Sequence, residues 1–161
     1  MAIDSFLKLG TLKGESVVKG FEDQMQLLSW GWGMSQTGTT HSAAGGGAGK
    51  VNVQDLTVTK YIDAATPGLV LACCKGTHYD SAVLTMRKAG GTALEYVTLT
   101  LTEVLVSSYT CAGSQGEDRV SETFSLNFSK FKFSYQPQDA KGAKKGGAID
   151  ATYDIAKNDD A

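Results

Sequence analysis

The sequence predicts a mainly β protein: a β-barrel of two antiparallel sheets, one short flanking α-helix and an extended glycine-rich loop. Three observations carry that prediction. Apolar residues recur with period two through about seven segments. Nineteen glycines stand against two prolines, a balance that suits strands and tight turns. Only one segment carries the start and stop signals of a helix. With 161 residues, 42% of them hydrophobic, the chain can bury a core of its own, and residues 1–161 read as one domain without a boundary or repeat.

The first strand alternates Ile3, Ser5, Leu7 and Leu9 against Ala2, Asp4, Phe6 and Lys8. After the Lys13-Gly14-Glu15 turn, Gln24 to Met34 reads as a longer strand. Leu28, Trp30, Trp32 and Met34 share its heavy face, which places both tryptophans in the core. Leu27, Ser29, Gly31 and Gly33 share the small face, which meets a partner, a ligand or water. Residues 35–50 form a low-complexity loop without an apolar anchor, longer than the ~12–15 residues of ordinary connections. Alternation resumes from Val51 to Tyr61, with a parity shift near Asp55 that predicts a bulge or a two-sided strand.

Thr66-Pro67 opens the helix, Thr66 as cap and Pro67 at the first helical position. Leu69, Val70 and Ala72 are its expected buried residues, and Gly76 terminates it. Tyr79 to Lys88 and Leu94 to Ser108 follow as strands, then an acidic turn from Gly113 to Asp118. From Val120 to Tyr135 the aromatic parity switches between Phe128 and Phe131, so both faces meet apolar surface or a bulge intervenes. A charged loop (139–147) leads to a last strand alternating Ile149, Ala151, Tyr153 and Ile155, and Asp159-Asp160-Ala161 is expected to fray.

Fifteen basic residues against seventeen acidic ones argue against a general nucleic-acid binder. No apolar stretch approaches the ~18 residues of a membrane span, and the start at Met1-Ala2-Ile3-Asp4 has no signal-peptide pattern, so no membrane insertion is expected. Cys73, Cys74 and Cys111, an odd number with an adjacent pair, read as free thiols. His41 and His78 lack partners at nucleophilic spacing, which makes an enzyme unexpected. Gly45 to Lys50 is not a phosphate loop: Ala44 and Val51 stand where glycine and a hydroxyl residue are required. The Gly113–Asp118 turn has too few acidic ligands for calcium. No cofactor or metal is expected.

These segments resemble the hemolysin-coregulated protein family, Hcp, of the type VI secretion system. The likeness runs through Met1-Ala2-Ile3-Asp4 and Lys13-Gly14-Glu15-Ser16, then Trp30-Gly31-Trp32-Gly33-Met34-Ser35-Gln36 and Gly49 to Asp55. It continues through Thr59-Lys60-Tyr61-Ile62-Asp63, Arg87 to Gly91, Glu103 to Ser108, Gly116-Glu117-Asp118-Arg119 and Tyr135-Gln136-Pro137-Gln138. The resemblance implies a structural tube protein: a homo-hexameric ring, rings stacked into an inner tube, and partners that include the VgrG spike, contractile sheath, baseplate and small effector proteins. It implies a protein made in the cytoplasm and secreted without a signal peptide. It also assigns surfaces. Ser35, Gln36, Thr39, His41, Gly45, Gly46, Gly47 and Lys50, in the extended loop, would reach an adjacent subunit. Ser29 and Gly31 would face the lumen; family members tend to carry serine where this chain has Gly31, and the exchange opens space. Glu117 and Asp118 would meet Lys141, Lys144 and Lys145 of the next ring. Apart from the resemblance, the competing reading is a monomeric β-barrel ligand-binding module.

Overall fold

The computed structural model describes residues 2–38, 49–88 and 93–160. The elements in chain order are β1 (Ile3–Leu9), β2 (Met25–Gln26), β3 (Ser29–Gly31), β4 (Met34–Ser35), β5 (Asn52–Val53) and β6 (Leu56–Tyr61), then α1 (Thr66–Lys75). After the helix come β7 (His78–Lys88), β8 (Glu95–Ala112), β9 (Ser121–Asn127), β10 (Lys130–Tyr135) and β11 (Ile149–Asp154). One ladder runs β2-β1-β7-β8-β9-β6-β3, with β10 joining β8 to β11, and β4 with β5 makes a separate two-stranded sheet.

The β8 strand organises this arrangement. Its first part pairs with β7 on one side and β10 on the other, and its last part pairs with β9. One hairpin, β8 against β9–β10, thus belongs to both layers, and the ladder does not close on itself but ends at β2 and β3. Bending a strand this way moves its side chains to the other face, and the sequence marks the places. In β8, Leu99 and Leu101 are buried, then Val104 and Val106; Glu103 between them has φ of 54°, and the register with β9 shifts between Val106 and Ser108. In the returning strand the break falls at Phe128 and Ser129, where the aromatic parity switches as expected. The parity shift near Asp55 has a similar origin: β5 leaves one sheet and β6 enters the other.

The run from Gln24 to Met34 is not one strand. Leu27 donates its N–H to Ser5 O and Leu28 to Thr59 O, so the chain crosses between layers there and the alternation breaks. Trp30 does face inward, opposite buried Val58, but β3 is the last strand of its ladder and Trp30 remains 37% exposed. Leu28 and Met34 are also exposed, and Trp32 is half-buried. The expectation of a wholly buried heavy face is therefore corrected: core packing ends at this margin.

β1 departs from simple alternation too. Phe6 and Leu7 are both fully buried. The outer face of β1 is covered by the connection to β2, whose Phe21 stacks on Phe6 with ring centroids 4.4 Å apart, and Arg87 lies over both rings.

The helix begins at Thr66, with Ala65 in the cap position and no side-chain cap from it. Thr66 instead accepts the Asp63 N–H, and Asp63 Oδ1 accepts that of Ala65, an arrangement that ties down the entry to the helix. Gly76 ends it in the left-handed conformation, with φ of 62°. Leu69 and Ala72 are buried as expected, whereas Val70 is exposed. At the C-terminus, Asp154 and Asp159 exchange backbone hydrogen bonds, so the chain is tied through Asp159 rather than frayed.

Candidate assembly surfaces and the network behind them

The sheet formed by β3, β6, β9 and the end of β8 presents a distinctive outer face. Strand register aligns two rows of four residues across it. Ser29, Thr59, Thr123 and Thr110 form the first row, and Gly31, Thr57, Ser125 and Ser108 the second. Thr59 and Thr123 hydroxyls are 3.0 Å apart, and those of Thr57 and Ser125 are 3.3 Å apart. Threonine suits a strand exposed on one face, and hydroxyl pairs across strands stabilise it without apolar area. Gly31 leaves a gap in its row: a Cβ there would meet nothing within 4 Å. At the bulge, Asp55 accepts Ser107 Oγ at 2.6 Å and Asn127 Nδ2 at 2.9 Å, stapling β6, β9 and β8 together.

Between these rows, side chains point inward. The inward pair next to the helix is Lys60 and Glu122, while Cys111, at the same register position on β8, is exposed. Lys60 and Glu122 are both buried. Lys60 Nζ contacts Glu122 Oε1, donates to Asp63 Oδ1 at 2.7 Å and to Tyr61 O at 3.1 Å, which uses all three of its protons. Glu122 also accepts Thr66 Oγ1 at 2.8 Å and Tyr109 Oη at 2.6 Å. Burial, and next the hydrogen bond from Tyr109 to Glu122, push the Tyr109 phenol above its ordinary range. This network joins β6, β8, β9 and the first turn of α1. The sequence did carry its signal: Lys60 shares parity with Leu56 and Val58, and Glu122 with Phe124 and Leu126.

The extended loop is a hairpin at its base. Met34 pairs with Val53 and Ser35 with Asn52, and Gly49 donates to Thr37 O at 3.3 Å. Ser35, Gln36 and Lys50 are exposed. Thr39, His41, Gly45, Gly46 and Gly47 lie outside the described residues. Beside the stem runs an apolar groove of about 490 Å³, bordered by Trp32, Met34, Val53, Phe133 and Tyr153. Trp32 borders it, and its buried indole N–H has no partner among the described residues.

The charged segments occupy opposite ends of the long hairpin. Glu117 and Asp118 are exposed in the turn joining β8 to β9, and Lys141, Lys144 and Lys145 are exposed in the loop joining β10 to β11. Asp139 is spent within that loop, accepting the N–H groups of Lys141 and Ala143. Near the same end the Ser134 hydroxyl, with Lys132, holds the Asp150 carboxyl below its ordinary value. Among the described residues no group of three His, Cys, Asp or Glu is placed to hold a metal ion, and no helix is long and apolar enough to cross a membrane. Cys73 is half-buried; Cys74 and Cys111 are exposed, and all three are free thiols.

Comparison with known proteins agrees with this architecture. The family described as Type VI secretion system effector, Hcp, matches residues 6–135. Protein hcp1 of Pseudomonas aeruginosa is 53% identical over 159 residues, 98% of each chain. Among solved structures, Hcp1 from Salmonella typhimurium is 37% identical, covers 100% of both chains and superposes with a TM-score of 0.83. A structure described as a type six secretion system protein is 29% identical, covers 99% of this chain and 100% of its own, and reaches a TM-score of 0.93. A family match over most of the chain, together with a full-length relative and full-length structural likeness, shows that the chain belongs to the Hcp family of type VI secretion proteins.

Proposed function

We propose that this chain is the structural subunit of a type VI secretion tube, in which six copies close a ring around a channel and rings stack. One observation carries the reading: the hydroxyl-faced sheet has open edges on both sides. β3 pairs only with β6, and beyond Leu105 β8 pairs only with β9, among the described residues. Unpaired edges are templates for another strand, and a head-to-tail contact that repeats by rotation closes into a ring. The hydroxyl rows, with Ser29 and Gly31, then line the channel. An uncharged wall of small side chains suits the passage of small effector proteins better than tight capture, and the gap at Gly31 widens it.

In the same reading the hairpin stem at Ser35, Gln36 and Lys50 carries the loop, including Thr39, His41, Gly45, Gly46 and Gly47, to an adjacent subunit. The lysines 141, 144 and 145 meet Glu117 and Asp118 of the next ring. The whole of 1–161 acts as one unit with a structural, not catalytic, role, driven by a contractile sheath, assembled on a baseplate and tipped by the VgrG spike. It leaves the cytoplasm through that machine.

The apolar groove beside Trp32 favours a second reading, a monomeric barrel that binds a ligand there. Light scattering across a concentration series separates the two. The expected result is a discrete mass near six subunits. A persistent monomer would overturn the tube reading and leave the groove as the site.

A further inference from the structure

Exposed large apolar side chains are not spread evenly over this molecule. Of eleven among the described residues, six lie at the two ends of the long hairpin. At the acidic end Leu28, Ile62 and Val120 are exposed by 51%, 41% and 42%. They adjoin a concavity lined by Tyr61, Glu117, Asp118 and Arg119, in which the Arg119 guanidinium lies 4.0 Å from the Tyr61 ring centroid. Ile62 donates its N–H to Val120 O, so the two side chains belong to one short rim. At the basic end Tyr135 and Ile149, cross-strand partners, are exposed by 43% and 64%, and Ile3 beside Lys88 by 56%. Scattered apolar residues need no explanation, but apolar groups flanked by opposite charges at opposite ends are complementary.

We infer that these two ends dock on each other in successive copies, and that the docking is anchored by the apolar residues, with Tyr61–Arg119 as a platform and the charges setting orientation. The occupant of each end is a second copy of this chain. The inference rests on the tube reading and deepens it: ring stacking is carried by Leu28, Ile62 and Val120 against Ile3, Tyr135 and Ile149, not by ion pairs alone. Exposed ion pairs contribute little, whereas aromatic and arginine anchors dominate interfaces.

Two variants test it, each at an exposed position, Leu28→Asp at the acidic end and Ile149→Asp at the basic end. Ring and stack masses are read by light scattering and electron microscopy up to millimolar subunit concentration. The expected result is intact rings with stacking weakened on the order of tenfold or more in each variant alone. Mixed together, the variants should give pairs of rings and nothing longer, because each supplies the end that the other has kept. Wild-type stacks should survive in about 1 M salt, where charges are screened beyond ~3 Å. Either variant stacking normally, wild-type rings staying single, stacks vanishing at that salt, or a variant losing its ring would each overturn the assignment. Failure of the wild type to form rings at all would instead overturn the tube reading beneath it.

Discussion

Two regions of the barrel solve the same problem in opposite ways. Where β6 and β9 approach the helix, the interior contains a fully buried lysine, two carboxylates, a threonine and a tyrosine, and the Lys60 protons and Glu122 oxygens have partners. Where β10 and β11 face the hairpin stem, the interior is aromatic. Trp32 packs on Phe131 with centroids 4.9 Å apart and on Phe133 at 6.4 Å, its indole N–H has no partner among the described residues, and a groove stays open. The first region is directional, since each hydrogen bond fixes an angle, and it locks the helix to the sheet. The second depends on area and shape, which tolerate substitution and leave room for another chain. Under the proposed tube reading, a subunit must hold its own fold rigid while accepting neighbours, and it needs both.

The sharpest way to break this comparison is to unbalance the network. Lys60→Met leaves Glu122 and Asp63 facing each other without their cation. Removing one partner of a buried ion pair costs about 3–5 kcal/mol. Adding Glu122→Leu should restore much of the loss, since paired apolar replacements are often tolerated. Urea unfolding checks both; a Lys60→Met variant within about 1 kcal/mol of wild type would show that the pair does not hold the helix.

The aromatic side should respond more gently. Trp32→Ala removes contacts with three phenylalanines, but the residue is only half-buried, so a loss of about 2–3 kcal/mol is expected, below that of a fully buried tryptophan. Trp32→Phe should cost about 1 kcal/mol, because the indole N–H has no partner to lose among the described residues. If Phe proved as damaging as Ala, the indole nitrogen would have a partner after all, and the contrast between the two regions would weaken.

The same contrast governs what could be read from residue order. Strand identity, the helix with its Gly76 terminus, and the break between Phe128 and Phe131 follow from local pattern, because period and turn chemistry are local. The hydroxyl face was legible only in part: Ser29 and Gly31 stand out beside the tryptophans, but their alignment with Thr57, Thr59, Thr123 and Ser125 depends on register between distant strands. The heavy face from Leu28 to Met34 misleads, because amphipathic alternation does not reveal that the chain passes from one end of the ladder to the other at Leu27 and Leu28, then enters a separate sheet at Met34. Lys60 and Glu122 each sit at an inward parity, but a lone inward charge has no explanation until β6 and β9 are known to be neighbours. Composition could not reveal the end-to-end placement of acidic turn and basic loop, since it follows from the hairpin that joins them.

The finest probe of the network is Tyr109, whose phenol is raised above its ordinary range by burial and by Glu122. An unfolded tyrosine ionises near pH ~10. A raised value in the fold means that the neutral phenol is the form the fold holds. The stability it contributes is complete below pH ~10 and is lost as pH rises from there toward the folded value. At neutral pH, Tyr109→Phe should cost about 1.5 kcal/mol, the loss of one hydrogen bond to a carboxylate. Above pH ~10 the gap between variant and wild type should narrow, because only the wild type gains from ionising this phenol on unfolding. Urea midpoints of the two proteins across neutral to alkaline pH measure that gap directly, and the comparison cancels the other five tyrosines. A gap constant with pH would mean that Tyr109 titrates as freely in the fold as outside it, and the network would then be open to water at its β8 side.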